Sequence, residues 1–147
     1  MLFRSHLRFG DSPIQSTYLI DSADFIACHN PSYVTKYDMV SALKDGGTFL
    51  LNSPWTAEEM DAQLPASMKQ ALAKKNAKFY TIDAIALAKK VGMGGRINTI
   101  MQAAFFKLAN IIPYEQADEY MKAYAKKTYG KKGDEVVKKN WLSLIHI

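Results

Sequence analysis

The chain has 147 residues, long enough for one domain with a real core. Its 48% hydrophobic and 22% charged content is that of a globular protein, and no apolar run approaches the ~20 residues of a membrane-spanning helix. The net charge is +5, and a single cysteine, Cys28, excludes an internal disulfide.

The first ten residues contain no apolar h-region and no small-residue cleavage site, so no secretory signal is read there. Ser16–Ile20 (STYLI) and Asp24–His29 (DFIACH) carry the β-branched, aromatic and apolar runs of buried strands. Asn30-Pro31 predicts a helix start. Tyr33, Tyr37, Val40 and Leu43 follow at helical spacing, and Asp45-Gly46-Gly47 supplies a stop. Thr48–Asn52 (TFLLN) is apolar on both faces, as the central strand of a sheet covered on both sides should be.

Thr56-Ala57-Glu58-Glu59 predicts a capping box and a new helix. Pro65 opens another helix, running through Lys75, and Lys78–Ile82 (KFYTI) reads as a further strand. Asp83 caps a short helix ending near Val91. Ile97, Ile100, Met101, Ala104, Phe105, Leu108, Ile111 and Ile112 then form one wide apolar stripe, which Pro113 ends. Ala117, Tyr120, Met121 and Tyr124 repeat the pattern. The expected fold is α/β: an open sheet with covering helices and a helical C-terminal third.

The stretch Val91–Thr99 (VGMGGRINT) has the strongest chemical content. A dinucleotide-binding turn follows a strand, and an acidic residue stands about 20 positions on, at a second strand end. Here the glycines follow a helix, and Asp118, at about that distance, falls inside another helix. No Lys-Ser/Thr pair completes a P-loop. Gly92 reads as the residue just past a helix end, where positive φ is needed, and Gly94 and Gly95 complete a helix–helix turn. The second reading is an anion site at Gly94, Gly95 and Arg96, because free N–H groups at a helix start beside an arginine attract phosphate.

Other candidates have bland readings. Cys28-His29 lacks a further ligand at metal spacing, since His6 and His146 are remote. Glu58, Glu59 and Asp61 suit a helix N-terminus. Arg8 suits a carboxylate pair or an anion. Lys126, Lys127, Lys131, Lys132, Lys138 and Lys139 crowd the last quarter but read as a solvated helix face. A helix-turn-helix outline around the glycines raises DNA binding as a competing class. Its second helix offers only Arg96, Asn98, Thr99 and Gln102 near its start and is otherwise apolar, so nucleic acid is not the expected partner. No catalytic residue and no metal ligand set emerges from spacing alone.

Seven stretches, in order, carry a resemblance. They are Ser5–Ile20 (SHLRFGDSPIQSTYLI), Ala23–Val40 (ADFIACHNPSYVTKYDMV), Gly46–Trp55 (GGTFLLNSPW), Leu64–Lys69 (LPASMK), Lys78–Ala84 (KFYTIDA), Gly92–Pro113 (GMGGRINTIMQAAFFKLANIIP) and Lys127–Trp141 (KTYGKKGDEVVKKNW). Together they resemble the gamma-type domain of pyruvate:ferredoxin (flavodoxin) oxidoreductases over most of residues 1–141. The resemblance implies a cytoplasmic, usually dimeric enzyme of anaerobic metabolism. Such an enzyme oxidatively decarboxylates pyruvate, passes electrons to ferredoxin or flavodoxin, and transfers the acetyl group to coenzyme A. It further implies thiamine diphosphate, magnesium (Mg) and 4Fe-4S clusters, all held in other domains of the same oxidoreductase. One cysteine cannot supply a cluster's four thiolates, so this piece is expected to bind none of these alone. It also implies a possible coenzyme A side for Gly94, Gly95 and Arg96. A stand-alone interaction subunit is the alternative. The resemblance further implies that an upstream strand of the domain precedes Met1. Residues 142–147 (LSLIHI) do not resemble the family continuation and read as non-native, read-through-like sequence.

Overall fold

The computed structural model describes residues 12–15 and 20–145. The predicted strand at Ser16–Ile20 therefore lies almost wholly outside the described residues, as do His6, Arg8 and His146. Three parallel strands form one sheet, β1 (Ala23–Cys28), β2 (Leu43–Asn52) and β3 (Lys78–Ile82), in the order β1-β2-β3. Six α-helices accompany them among the described residues. Helices α1 (Ala57–Gln63) and α2 (Ala66–Lys74) lie between β2 and β3 in the chain, and α3 (Ala84–Lys90) and α4 (Asn98–Ala109) follow β3. Helices α5 (Tyr114–Tyr129) and α6 (Asp134–Ile145) make up the C-terminal third. The α/β architecture is thus the expected one.

The central strand explains the two-sided core. Phe49 and Leu51 point to one face, where they join Cys28, Val40, Leu43, Met60, Leu64, Met68 and Leu72. Leu50 points to the other, with Ala84, Ala88, Ile100, Met101 and Ala104. Successive strand side chains alternate, so an apolar run on β2 feeds both layers at once. Ala84 and Ala88 of α3 and Ala104 of α4 are the small buried residues of that layer. A third cluster, Ala103, Ala117, Met121 and Leu144, joins α4, α5 and α6. Residues 142–145 complete α6, and Leu144 is buried in that cluster.

Local signals account for most of the element ends. Thr56 and Glu59 form the reciprocal capping box at the start of α1. The Asp83 carboxylate accepts the Ala86 N–H at 2.8 Å to cap α3. Asn76 and Asn110 both take φ of 48°, the left-handed conformation that asparagine tolerates, just past α2 and α4. Asn110 therefore ends α4 after Ala109, before Pro113 is reached. Ile111, expected on the buried stripe, is exposed as a result.

Two further expectations are corrected. The helix predicted from Asn30-Pro31 to Asp45 is only a 3-10 turn at Pro31–Tyr33, capped by the Asn30 side chain. Tyr33 and Tyr37 face solvent, with their rings edge-to-face at 5.5 Å. Val34, Thr35 and Val40 are β-branched and favour helix weakly, while Leu43 is drawn into the sheet opposite Ala23. Asp45-Gly46-Gly47 accordingly lies inside β2, where the register with β1 shifts between Ala23 and Phe25, rather than stopping a helix. A Cβ on Gly47 would stand 2.8 Å from Leu43 Cδ1, so the irregularity needs glycine there. On α5, the buried stripe is Ala117, Met121 and Ala125, whereas Tyr120 and Tyr124 are exposed. Small residues, not tyrosines, face α4 and α6, which brings these helices into close contact.

Candidate functional site

The glycine turn forms as the helix-end chemistry predicts. Gly92 has φ of +74°; its N–H donates to Lys89 O at 3.0 Å, and the Met93 N–H donates to Ala88 O at 2.7 Å. That pair of bonds is the Schellman closure of α3, and Met93 packs back on the cluster containing Ala84 and Ala88. Gly94 has φ of +65°, and the Arg96 N–H donates to Met93 O at 3.3 Å. Ile97, the residue preceding α4, offers no side-chain cap, so the first N–H groups of α4 have no side-chain acceptor there.

Beside this turn lies a cleft of about 260 Å³ lined by Gly92, Met93, Gly94, Arg96, Val136, Lys139 and Asn140. Two of the three anticipated site residues, Gly94 and Arg96, belong to it. Gly95 is exposed and is not among the lining residues. The far wall comes from α6, which sequence reasoning did not connect to the glycines. Asn140 is buried and fixed from both sides: its Nδ2 donates to Val136 O at 2.8 Å, and its Oδ1 accepts the Thr99 hydroxyl at 3.1 Å. The Thr99–Asn140 bond ties α4 to α6 at the cleft.

The cleft is cationic. Arg96 is exposed and has no ion-pair partner among the described residues. Lys139 is half-buried and pairs with Glu135 one turn back, at 2.7 Å. Its hydrogen bond and charge hold the Glu135 carboxyl below the usual carboxylate range. Lys139 is thus partly neutralised, and Arg96 carries the uncompensated charge. The Lys139 stem also packs under the turn, since a Cβ on Gly92 would stand 3.2 Å from its Cε.

This contact gives a first expected result. Gly92→Ala should destabilise the fold by about 1–2 kcal/mol through the left-handed backbone alone, with further loss from displacing Lys139. Gly94→Ala meets open space at a similar φ and should show only the backbone part. Thermal melts of the two variants check the difference; equal losses would remove Lys139 from the argument.

The remaining candidates are structural. The Cys28 thiol is buried and donates to Asn30 O at 3.1 Å, and burial pushes its pKa up. That disfavours the thiolate needed for nucleophilic or metal chemistry. Asp61 pairs with Lys69 at 2.8 Å, and Glu59 closes the capping box. No group of three or more His, Cys, Asp or Glu converges among the described residues, and no described helix is long and apolar enough to cross a membrane. The single cysteine does not fit a four-thiolate cluster.

Comparison with known proteins decides the family. Residues 2–145 match the family described as pyruvate ferredoxin/flavodoxin oxidoreductase. The chain belongs to this family. Over 140 residues it is 59% identical to the pyruvate:ferredoxin oxidoreductase of Moorella thermoacetica, covering 95% of this chain and 12% of that one. It is 52% identical to the pyruvate-flavodoxin oxidoreductase of Enterobacter agglomerans, with the same coverages. It is also 50% identical to a pyruvate dehydrogenase (NADP(+)) of Cryptosporidium parvum, covering 93% of this chain and 7% of that one. The chain thus spans about an eighth of the length of the first two relatives. Among solved structures, it shares a fold with the PORC subunit of the pyruvate oxidoreductase of Thermotoga maritima. The TM-score is 0.64 at 20% identity, covering 85% of this chain and 61% of that subunit.

Proposed function

We propose that the chain is the gamma-type domain of a pyruvate:ferredoxin or pyruvate:flavodoxin oxidoreductase, serving as scaffold and as part of the coenzyme A side. Family membership over residues 2–145 and the names of the relatives support a pyruvate oxidoreductase activity. On this reading the enzyme oxidatively decarboxylates pyruvate to acetyl-CoA in the cytoplasm. Thiamine diphosphate with magnesium and the 4Fe-4S clusters belong to other domains, which are this chain's immediate partners. Ferredoxin or flavodoxin takes the electrons, and the complete enzyme is a homodimer.

The observation that carries the coenzyme A assignment is the Arg96 guanidinium, which has no ion-pair partner among the described residues, on the same cleft as Lys139. Coenzyme A is a polyanion. A guanidinium presents paired N–H donors to a phosphate, and such charge-assisted bonds contribute about 1.5–3 kcal/mol. Helix α4 begins two residues beyond Arg96 without a side-chain cap, and an uncapped helix start favours a nearby anion. Arg96 and Lys139 make the cleft cationic, which suits a phosphate.

In the full-length oxidoreductase, Arg96→Ala should raise the KM for coenzyme A about tenfold, equivalent to about 1.4 kcal/mol, with kcat little changed. Pyruvate decarboxylation without coenzyme A should be unaffected. Titration of coenzyme A into the intact enzyme gives the binding term directly. An unchanged KM with a lowered Tm would reduce the glycine stretch to a helix–helix turn.

A further inference from the structure

We propose that Glu135 tempers the grip of the cationic cleft on its phosphate, so that coenzyme A is held loosely enough for acetyl-CoA to leave by the same contacts. This rests on the coenzyme A reading and gives Glu135 a role opposite in sign to those of Arg96 and Lys139.

The start of α6 places the residue. Gly133, at φ of +100°, turns the chain, and its carbonyl accepts the Val136 N–H at 3.1 Å. Glu135 therefore stands in the first turn of α6, next to Val136 of the cleft wall and one turn before Lys139. Its carboxylate is exposed, and Oε1 lies 2.7 Å from Lys139 Nζ. The glycine turn confines the same ammonium from another side: a Cβ built on Gly92 would stand 3.6 Å from Nζ. The ammonium thus sits at the cleft, between the Glu135 carboxylate and the Gly92 backbone.

Two effects of opposite sign result. An ammonium has three donors, so a lysine paired to one carboxylate oxygen keeps others for a bound phosphate. Pairing one turn apart also restrains the lysine, but an exposed helical ion pair shifts an equilibrium by only about twofold. Against this, a phosphate bonded to Lys139 comes within about 6 Å of the carboxylate, where like charges in water weaken binding about threefold for each unit of anion charge. Repulsion therefore outweighs restraint. Lys139 itself keeps the Glu135 carboxyl below the usual carboxylate range, so the repelling charge is in place at neutral pH.

Coenzyme A and acetyl-CoA differ at the thiol and carry identical phosphates. Contacts to those phosphates bind substrate and product alike, and strengthening them lowers KM without raising kcat. With Arg96 and Lys139 both unopposed, the cleft would hold the product as firmly as the substrate. A carboxylate beside Lys139 limits that hold.

Titrations of coenzyme A and of acetyl-CoA into the intact oxidoreductase carrying this sequence test the role. Glu135→Gln should tighten both by about three- to tenfold at low salt and by the same factor, with the gain fading at about 0.5 M salt. Damage to a merely structural residue would weaken binding, so the sign of the change separates the two roles. Asp134→Asn removes a like charge one position earlier, from a residue that has no ion pair with Lys139, and should alter either affinity by less than about twofold. Unchanged or weaker binding in Glu135→Gln overturns the proposal, as does an equal gain in Asp134→Asn. Arg96→Ala judges the coenzyme A reading separately. Weaker binding there with no gain in Glu135→Gln removes the role of Glu135 alone, whereas no change in either variant removes both.

Discussion

Phe49→Ala should lower the unfolding free energy by about 3–5 kcal/mol, a large share of what a domain of this size has to lose. Phe49 is fully buried in the middle of β2, in the layer formed with α1 and α2. Its ring stacks on Phe79 of β3 at 6.0 Å between centroids and 15° between planes. Truncation removes the transfer term and leaves a cavity that the paired strands on either side cannot close by shifting. Tyr80→Ala, at the exposed centre of β3, removes a comparable volume from solvent and should cost under about 1 kcal/mol. Urea midpoints of the two variants check the contrast. Similar losses would place the stabilising core elsewhere than the central strand.

Asn52→Ala should cost about 2–4 kcal/mol, although it removes only a small polar side chain. Asn52 is buried at the C-terminal end of β2. Its Nδ2 donates to His29 O at 2.9 Å, and its Oδ1 accepts the Ala84 N–H at 3.0 Å. One amide thus joins the ends of β1 and β2 to the first turn of α3. Alanine leaves the buried Ala84 N–H and the partly buried His29 carbonyl without these partners. Asn52→Asp sharpens the test. The new carboxyl must stay protonated to donate to the His29 carbonyl, so its folded-state pKa rises above the unfolded value. The stability of that variant is then fully present below the unfolded pKa and is lost as pH rises through the folded pKa. A pH-independent loss in Asn52→Asp would show that the amide's donor role is minor.

Both residues stand in TFLLN, and this stretch was legible because its chemistry is local and strong. A five-residue run apolar on both faces has few alternatives to a central parallel strand. The capping box at Thr56, the Asp83 cap and the Gly92 helix end were equally readable, since each depends on residues within one turn of chain. The segment from Asn30 to Gly47 was misread because its helical spacing is real but its partners are distant. Leu43 pairs with Ala23 across the sheet, and that tertiary bond outweighs a weakly helical run containing Val34, Thr35 and Val40. Tyr120 and Tyr124 misled for a related reason. Periodicity identifies a face but does not say whether alanines or tyrosines turn inward, and here Ala117 and Ala125 do. Of the candidate site, only the glycine side could be read from sequence. Lys139 looked like one member of a lysine-rich surface, and nothing near it in the chain points to Gly92.

That separation along the chain bears on biosynthesis. The Thr99–Asn140 bond spans 41 positions, and the cleft wall is completed from α6. A ribosome making this polypeptide from its N-terminus therefore releases the glycine turn well before the side chains that brace it. During that interval Arg96 and the start of α4 are supported by α3 and the sheet alone. A stop between Arg96 and Val136 would yield a chain that encodes β1, β2 and β3 in full but whose cationic cleft has one wall. Such products would retain β-sheet packing while losing anion affinity, so arrest position would separate folding of the sheet from maturation of the cleft.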